Sequence, residues 1–341
     1  MSPDKKIILA GDIGGTKTEL GIFMMGKKRP SLKVFKTFSS VNYSGFDEIV
    51  ARFLAIHPSH VAGACFGVAG PVINGKCRMT NLPWTISESI LKNRFRWKSV
   101  HVINDLVAMA HAVPLLDARE VHSLNGLRVV KGRNMGLIAP GTGLGEAFLM
   151  FVESGKCLFV STEGGHCDFP SGNEKQVELW RFLKKKYGHV SVERVVSGPG
   201  IVNIYQWLKS SGKYKEPSWL KTLLRKYDPA KVISETALAG KDILCVESMD
   251  IFMSVFGAIA GNLALTGMTT GGIFLGGGIV PKILPHIKKG DFMKSFTDKG
   301  RFRKFMVKIP VKAILHRRPA LLGAACYGFE MLKEKNNDKI T

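Results

Sequence analysis

Three glycines, an aspartate, a threonine and a lysine fall within seven residues near the N-terminus, as Gly11-Asp12-Ile13-Gly14-Gly15-Thr16-Lys17. Glycines let backbone N–H groups approach an anion with no Cβ in the way. Thr16 adds a hydroxyl donor and Lys17 a cation, both suited to phosphate oxygens. Asp12 has the wrong sign for that task unless a cation lies between, and Mg²⁺, held directly or through its waters, is the natural mediator. A plain hairpin that needs Gly-Gly in its turn explains the cluster equally well, and neither the GxxxxGK[ST] nor the GxGxxG spacing is present. A second cluster, Pro140-Gly141-Thr142-Gly143-Leu144-Gly145, repeats the design. Two such hairpins well apart point to an internal duplication, with one phosphate-cradling turn from each half.

Other residues carry further chemistry. Asn104-Asp105 ends an apolar run and opens a helical pattern, which is where open α/β sheets place ligand groups. Both residue types are also ordinary N-caps, and taken alone that explanation is the stronger. Ser161-Thr-Glu163-Gly-Gly-His166-Cys167-Asp168 is a polar loop whose Glu163 and His166 suit a polyhydroxylated ligand, which needs converging acceptors and donors. Glu193 precedes Ser197-Gly198-Pro199-Gly200 and a helix from Ile201. Gly276, Gly277 and Gly278 follow an apolar run; they could admit the flat face of a nucleotide or form a loose turn.

The elements that must hold these groups follow from periodicity. Residues 7–23 read as strand, turn, strand, and residues 32–39 as another strand. Helical spacing covers 43–56, and 61–68 is a buried strand. Asn74-Gly75 marks a hairpin. Ser87 is placed as the N-cap of a helix with Glu88 in its first turn. Strands are expected at 99–103, 135–139, 147–152 and 271–275, and helices from Leu106 and over 228–239, 250–267 and 320–332. Residues 336–341 are expected to fray. Trp207 and Trp219 are core or surface aromatics without an assigned role.

At 341 residues the chain is long enough for two domains. Its six cysteines form no CxxC pair, which argues against a zinc site or a disulfide framework and fits a reducing compartment. The apolar stretch after Lys5-Lys6 is too short for a signal peptide, so a cytoplasmic location is expected. Residues 251–281 carry no charge, but their many glycines read as buried helix, turn and buried strand, not as a membrane span. The net charge is +22, of which 15 basic against 5 acidic residues fall from Lys282 onward. Lys299-Gly-Arg301-Phe-Arg303-Lys304-Phe305 interleaves basic and aromatic residues. A solvated basic face is the simpler account, so neither a nucleic-acid nor a membrane partner is expected.

With these residues in view, the chain resembles a bacterial-type glucokinase of the hexokinase–actin–sugar kinase superfamily. The matching pieces are GDIGGT (11–16), GVAGPV (67–72), TNLPW (80–84), IND (103–105), PGTGLG (140–145), EGGH (163–166), ERVVSGPG (193–200), LGGGI (275–279), DKGRF (298–302) and IPV (309–311). They run in order through nearly the whole chain. The resemblance implies an α/β, two-domain ribonuclease-H-like (actin/hexokinase) fold with a cleft between domains. Residues 1–112, completed by a C-terminal helix at about 316–335, would form the small domain, and 113–315 the large one.

It further implies transfer of the ATP γ-phosphoryl to the 6-hydroxyl of glucose. Asp105 would be the catalytic base, and Asn104, Glu163, His166 and Glu193 would bind sugar hydroxyls with it. Gly11, Asp12, Ile13, Gly14, Gly15 and Thr16, with Thr142 and Gly143, would hold phosphates and, at Asp12, Mg²⁺. Gly276, Gly277 and Gly278 would lie near the adenosine, and a homodimer is expected by family analogy. Lys17 stands where the resemblance predicts a neutral Asn; GGTK is commoner in the repressor–kinase sugar family, whose cysteine-rich zinc motif does not follow His166. Alternative readings are a kinase for another hexose or amino sugar, polyphosphate as donor, and a sugar-responsive regulator on the same fold.

Overall fold

Apolar runs broken by glycine become hairpins. In the computed structural model, which describes residues 6–79, 81–153 and 155–337, the first is β1 (Ile7–Ile13) against β2 (Lys17–Met25), continued by β3 (Pro30–Ser39). Thr80, Lys5 and residues 338–341, for which expectations are stated above, lie outside the described residues. The chain then forms α1 (Phe46–Ile56), β4 (Gly63–Val68), the short pair β5 (Lys76–Arg78) and β6 (Thr85–Ser87), α2 (Glu88–Phe95), β7 (Val100–Asn104) and α3 (Asp105–Ala112). The five-stranded sheet has the order β3-β2-β1-β4-β7, antiparallel as far as β1 and parallel from there on. All six residues of β4 are buried, as an uninterrupted apolar run covered on both faces requires.

A second unit repeats the plan. Its strands are β8 (Val121–Ser123), β9 (Met135–Pro140), β10 (Leu144–Phe151) and β11 (Cys157–Thr162). Helices α4 (Glu174–Tyr187), α5 (Gly198–Ser210), α6 (Ser218–Lys226), α7 (Pro229–Leu238) and α8 (Ile243–Thr266) follow, then β12 (Gly272–Leu275), α9 (Val280–Ile287), α10 (Asp291–Thr297), α11 (Arg303–Met306) and β13 (Val311–Ile314). The sheet order is β11-β10-β9-β12-β13-β8. Its first five strands copy the order and directions of the other sheet, antiparallel to β9 and parallel from β9 to β13. Two sheets of one design in one chain agree with the duplication read from the two glycine turns.

The last helix, α12 (Pro319–Asn337), belongs to the first unit. One compact unit comprises residues up to Asp117 and from His316 on, the other Ala118–Leu315. The first unit ends five residues beyond the expected 112, because Leu115 and Leu116 pack on its core. Arg29 also donates to the Leu115 carbonyl (3.1 Å) and faces Asp117 (3.8 Å). On one face of its sheet Phe46, Ile49, Val50 and Phe53 of α1 pack with Leu9, Leu20 and Phe66. On the other, α3 and α12 meet through Ala108, Ala112, Ala320, Ala324 and Ala325; such small side chains allow close helix approach.

Several elements differ from expectation. α8 begins at Ile243, seven residues before the expected 250, with Asp242 as N-cap accepting from the Cys245 N–H (3.0 Å). It is long and apolar enough to cross a membrane, but 67% of its most apolar stretch is buried, in contact with α5, α7 and α10. Ser87 precedes α2 but makes no capping bond; its hydroxyl pairs with that of Ser89 (2.9 Å). Glu88, in the first turn of α2 as expected, accepts from the Val102 N–H (2.9 Å) and so ties α2 to β7. Asn74 and Gly75 both have positive φ, 50° and 69°, the geometry of a type I′ turn. α12 continues to Asn337, past the expected end at 332.

Leu321 of α12 is fully buried on the α3 side of the first sheet. Leu321→Ala is expected to lower the unfolding free energy by about 2–5 kcal/mol, read by urea denaturation. A loss below about 1 kcal/mol would mean that the site collapses around the gap.

Candidate active site

The three parallel strands β1, β4 and β7 end together, and their register aligns Asp12 with Gly67 and Val68 with Asn104. Carboxyl ends of parallel strands are the usual ligand positions of such sheets. Gly67 has no Cβ, and one built there would stand 3.0 Å from the Cβ of Ala108 and 3.5 Å from the Cα of Asp105. Its absence lets the first turn of α3 lie directly over β4. Asn104 is the N-cap of α3, its Oδ1 accepting from the N–H groups of Leu106 (2.9 Å) and Val107 (3.3 Å). Its amide also donates to the Gly70 carbonyl (3.3 Å). Asn104 is thus the N-cap, and Asp105 is the first helical residue, half-buried at the strand ends, its Oδ1 also accepting from the Leu106 N–H (3.0 Å).

The turn after β1 is braced from β3 and its surroundings. Gly14 N–H donates to the Lys17 carbonyl (2.9 Å), and Ser40 Oγ donates to the Gly14 carbonyl (2.9 Å). Asn81 packs over Gly15, and Thr16 is exposed at the tip. Asp12 stands between two other carboxylates. Burial, then Asp105, then Glu19 push its carboxyl up to about 7, against a smaller opposing pull from Lys17. A site that raises a carboxyl in this way has room electrostatically for a dication. Among the described residues no group of three or more His, Cys, Asp or Glu is placed to hold a metal. Asp12 with waters and phosphate oxygens as the remaining ligands is the arrangement that fits, as is usual for Mg²⁺.

In the second unit Leu144 is the meeting point. Its N–H donates to Glu193 Oε2 (2.9 Å), and the Glu193 carboxylate lies over Gly143. The Leu144 carbonyl packs against Gly165, inside the loop that carries Glu163 and His166. That loop is a 3₁₀ turn (Gly164–His166) whose His166 Nε2 stands 3.9 Å from Glu163 Oε2, both side chains more than half exposed. Thr142, Gly143, Glu163, His166 and Glu193 are thereby gathered at the start of β10. Beneath the loop sits Glu146, buried against Gly164, its carboxyl pushed up to about 7 by burial.

A cavity of about 660 Å³ opens beside the Gly141-Thr142 turn. The N-termini of α5 and α7 reach it through Gly198, Pro199 and Asp228, and Gly278, Ile279 and Lys282 close the opposite wall. Gly277 has φ of +82° and packs against the Pro140 carbonyl, so only glycine suits the exit from β12. Sequence reading gave the α7 wall and Ser40 no role. Asp228-Pro229 is a legible helix start, but nothing local says which cavity that helix faces.

The chain matches the glucokinase family over residues 9–331. It is 36% identical to the glucokinase of Synechocystis sp. over 341 aligned positions, 93% of this chain and 96% of that one. It is 34% identical to the glucokinase of Yersinia enterocolitica, over 94% of this chain and 95% of the relative. Among solved structures, a glucokinase from an Antarctic psychrotroph superposes with a TM-score of 0.83 at 29% identity, over 95% of this chain and 99% of that one.

The position of Asp12 has a consequence for stability. Its folded-state pKa of about 7 lies above the ordinary 3.8, so the native state retains a proton that the unfolded chain releases. Stability then falls as pH rises from about 4 to 7. Without nucleotide or divalent cation, Asp12→Asn is expected to raise the melting temperature above pH 7 and to change it little at pH 4. An equal effect at both pH values would show that the charge of Asp12 is not opposed in the folded protein.

Proposed function

Because the chain belongs to the glucokinase family, it is an ATP-dependent hexose kinase that phosphorylates glucose, and we propose that Asp105 is its catalytic base. The fold, ribonuclease-H-like as in actin and the hexokinases, agrees with that assignment. The observation that carries it is the strand-end cluster of the first unit, where Asn104 is the N-cap and Asp105 stands beside Asp12. An aspartate with an ordinary pKa of about 4 is a weak base. It can nevertheless orient the 6-hydroxyl and accept its proton as the oxygen attacks the γ-phosphorus and the bond to the bridging oxygen breaks, releasing ADP. Positioning and charge stabilisation supply most of the acceleration in such transfers.

In this reading Asn104, Glu163, His166 and Glu193 accept and donate hydrogen bonds to the sugar hydroxyls. Gly11 and Ile13 hold the strand end and Gly14 closes the turn on the Lys17 carbonyl, so that the Gly15 amide and the Thr16 hydroxyl, with Thr142 and Gly143, receive the phosphates. Gly278 borders the adenosine in the cavity of the second unit, and Gly276 and Gly277 carry the chain to it. Mg²⁺, bound through Asp12 and its waters, would neutralise phosphate charge. All six cysteines are free thiols, which supports a cytoplasmic location, and the family analogy supports a homodimer.

A coupled assay for ADP release with MgATP, and an assay for the sugar phosphate formed when polyphosphate replaces ATP, each against glucose, mannose, fructose and N-acetylated hexosamines, test the reading. Glucose-dependent ADP formation is expected; turnover with polyphosphate alone would overturn the donor. Asp105→Ala should lower kcat by about 10²–10⁴-fold while glucose binding persists, and near-normal kcat would remove Asp105 from the role of base. Glu163→Gln should raise KM for glucose and leave KM for ATP unchanged; the reverse pattern would take Glu163 out of the sugar site.

A further inference from the structure

Lys17 is the residue of the first glycine cluster that neither the fold nor the mechanism above explains. It opens β2 directly behind the Gly14–Thr16 turn, and its carbonyl closes that turn by accepting from Gly14. Its side chain is 63% exposed, and its ammonium rests 3.1 Å from Glu19 Oε1. It is also near enough to Asp12 to favour that residue's ionised form. The charge therefore stands at the rim of the phosphate turn, held by one ion pair.

Glu19 does not depend on that pair. It is buried, and its Oε1 also accepts from Thr37 Oγ1 (3.4 Å). Its Oε2 faces Arg318 Nε at 3.6 Å, and the Arg318 guanidinium lies 3.6 Å over the ring of Phe35. If Lys17 moved away, Glu19 would retain a cation and a hydroxyl. Ion pairs with one exposed partner hold little free energy, and a lysine ammonium is a compact charge on a flexible stem that follows phosphate oxygens readily. Donor phosphates would bring more negative charge to a site already holding Asp12, Glu19 and Asp105.

We propose that Lys17 leaves Glu19 when the nucleotide binds and pairs with a phosphate oxygen of the donor, Glu19 serving as its resting partner. This rests on the reading of the Gly14–Thr16 turn as a phosphate site. It makes Lys17 a donor-binding residue in a position where the family resemblance predicts a neutral Asn.

The test compares wild type with Lys17→Met, Lys17→Arg, Glu19→Gln and Thr16→Val. Its readouts are the calorimetric dissociation constant for ATP without sugar, with Mg²⁺ and in EDTA, and the KM for ATP and for glucose. Lys17→Met should weaken ATP binding about tenfold, the scale of one charge-assisted hydrogen bond, and leave KM for glucose unchanged. Lys17→Arg should restore most of the loss, and Glu19→Gln, which frees the ammonium, should not weaken ATP. If Glu19→Gln and Lys17→Met weaken ATP alike, the pair is a structural brace and the proposal is wrong. It is equally wrong if Lys17→Met has no effect while Thr16→Val does; if neither has an effect, the phosphate-turn reading itself has failed.

Discussion

Like charge at one strand end is the constraint on which the first unit depends. Asp105 and Glu19 both oppose the charge of Asp12 in a partly buried site, and such groups persist only where cations or fixed dipoles offset them. Lys17 and Arg318 supply part of that offset. Arg318 comes from the segment leading into α12, which returns to this unit from the far end of the sequence. The charge balance of the site and the closure of the fold are therefore one arrangement. In the proposed reaction a phosphate donor arriving with a divalent cation would add a dication to the same balance, which would let carboxylates and a turn that receives phosphates share one strand end.

The second unit solves a different problem on the same sheet plan. Its strand-end turn is organised by backbone contacts at Leu144, whose N–H holds Glu193 and whose carbonyl seats the Glu163–His166 loop. The polar side chains there are largely exposed, so their positions come from the backbone they sit on, not from burial. The cavity of the second unit is reached by the N-termini of α5 and α7 and by Gly141, Gly198 and Gly278, while Ile201, Val202, Leu238 and Ile283 give it apolar walls. One unit thus collects charge and the other collects hydrogen-bonding directions, as expected of a reaction whose catalysis is mainly placement and electrostatics.

Motifs that act locally could be read from the chain. The Gly-Asp-Ile-Gly-Gly-Thr turn, the Asn74-Gly75 hairpin, the buried strand β4 and the Asn-Asp helix start all depend on neighbours within a few residues. The reading was less accurate where a residue's partner is distant. Ser87 has the residue type of a cap, yet its hydroxyl goes to Ser89, while Glu88, placed in the first turn of that helix, reaches β7. The first turns of α8 mix polar and apolar residues, so apolar periodicity marks the helix only from 250 onward. Burial decided those turns, with Leu244, Cys245 and Met249 packed in the core.

By itself, then, the sequence determined the strand–turn–strand hairpins, their repetition, and which groups are proposed to meet phosphate and sugar. These follow from backbone freedom at glycine and from the periods of 2 and 3.6 residues, which need no knowledge of the rest of the chain. Only the tertiary structure decided that Glu88 reaches β7, that Arg318 returns to Glu19, and that α7 lines the cavity beside Gly141. Each is a choice among partners that are equally available by residue type. Packing distant elements together removes all but one, because a buried polar group must find its partner within hydrogen-bond reach of where the backbone has placed it.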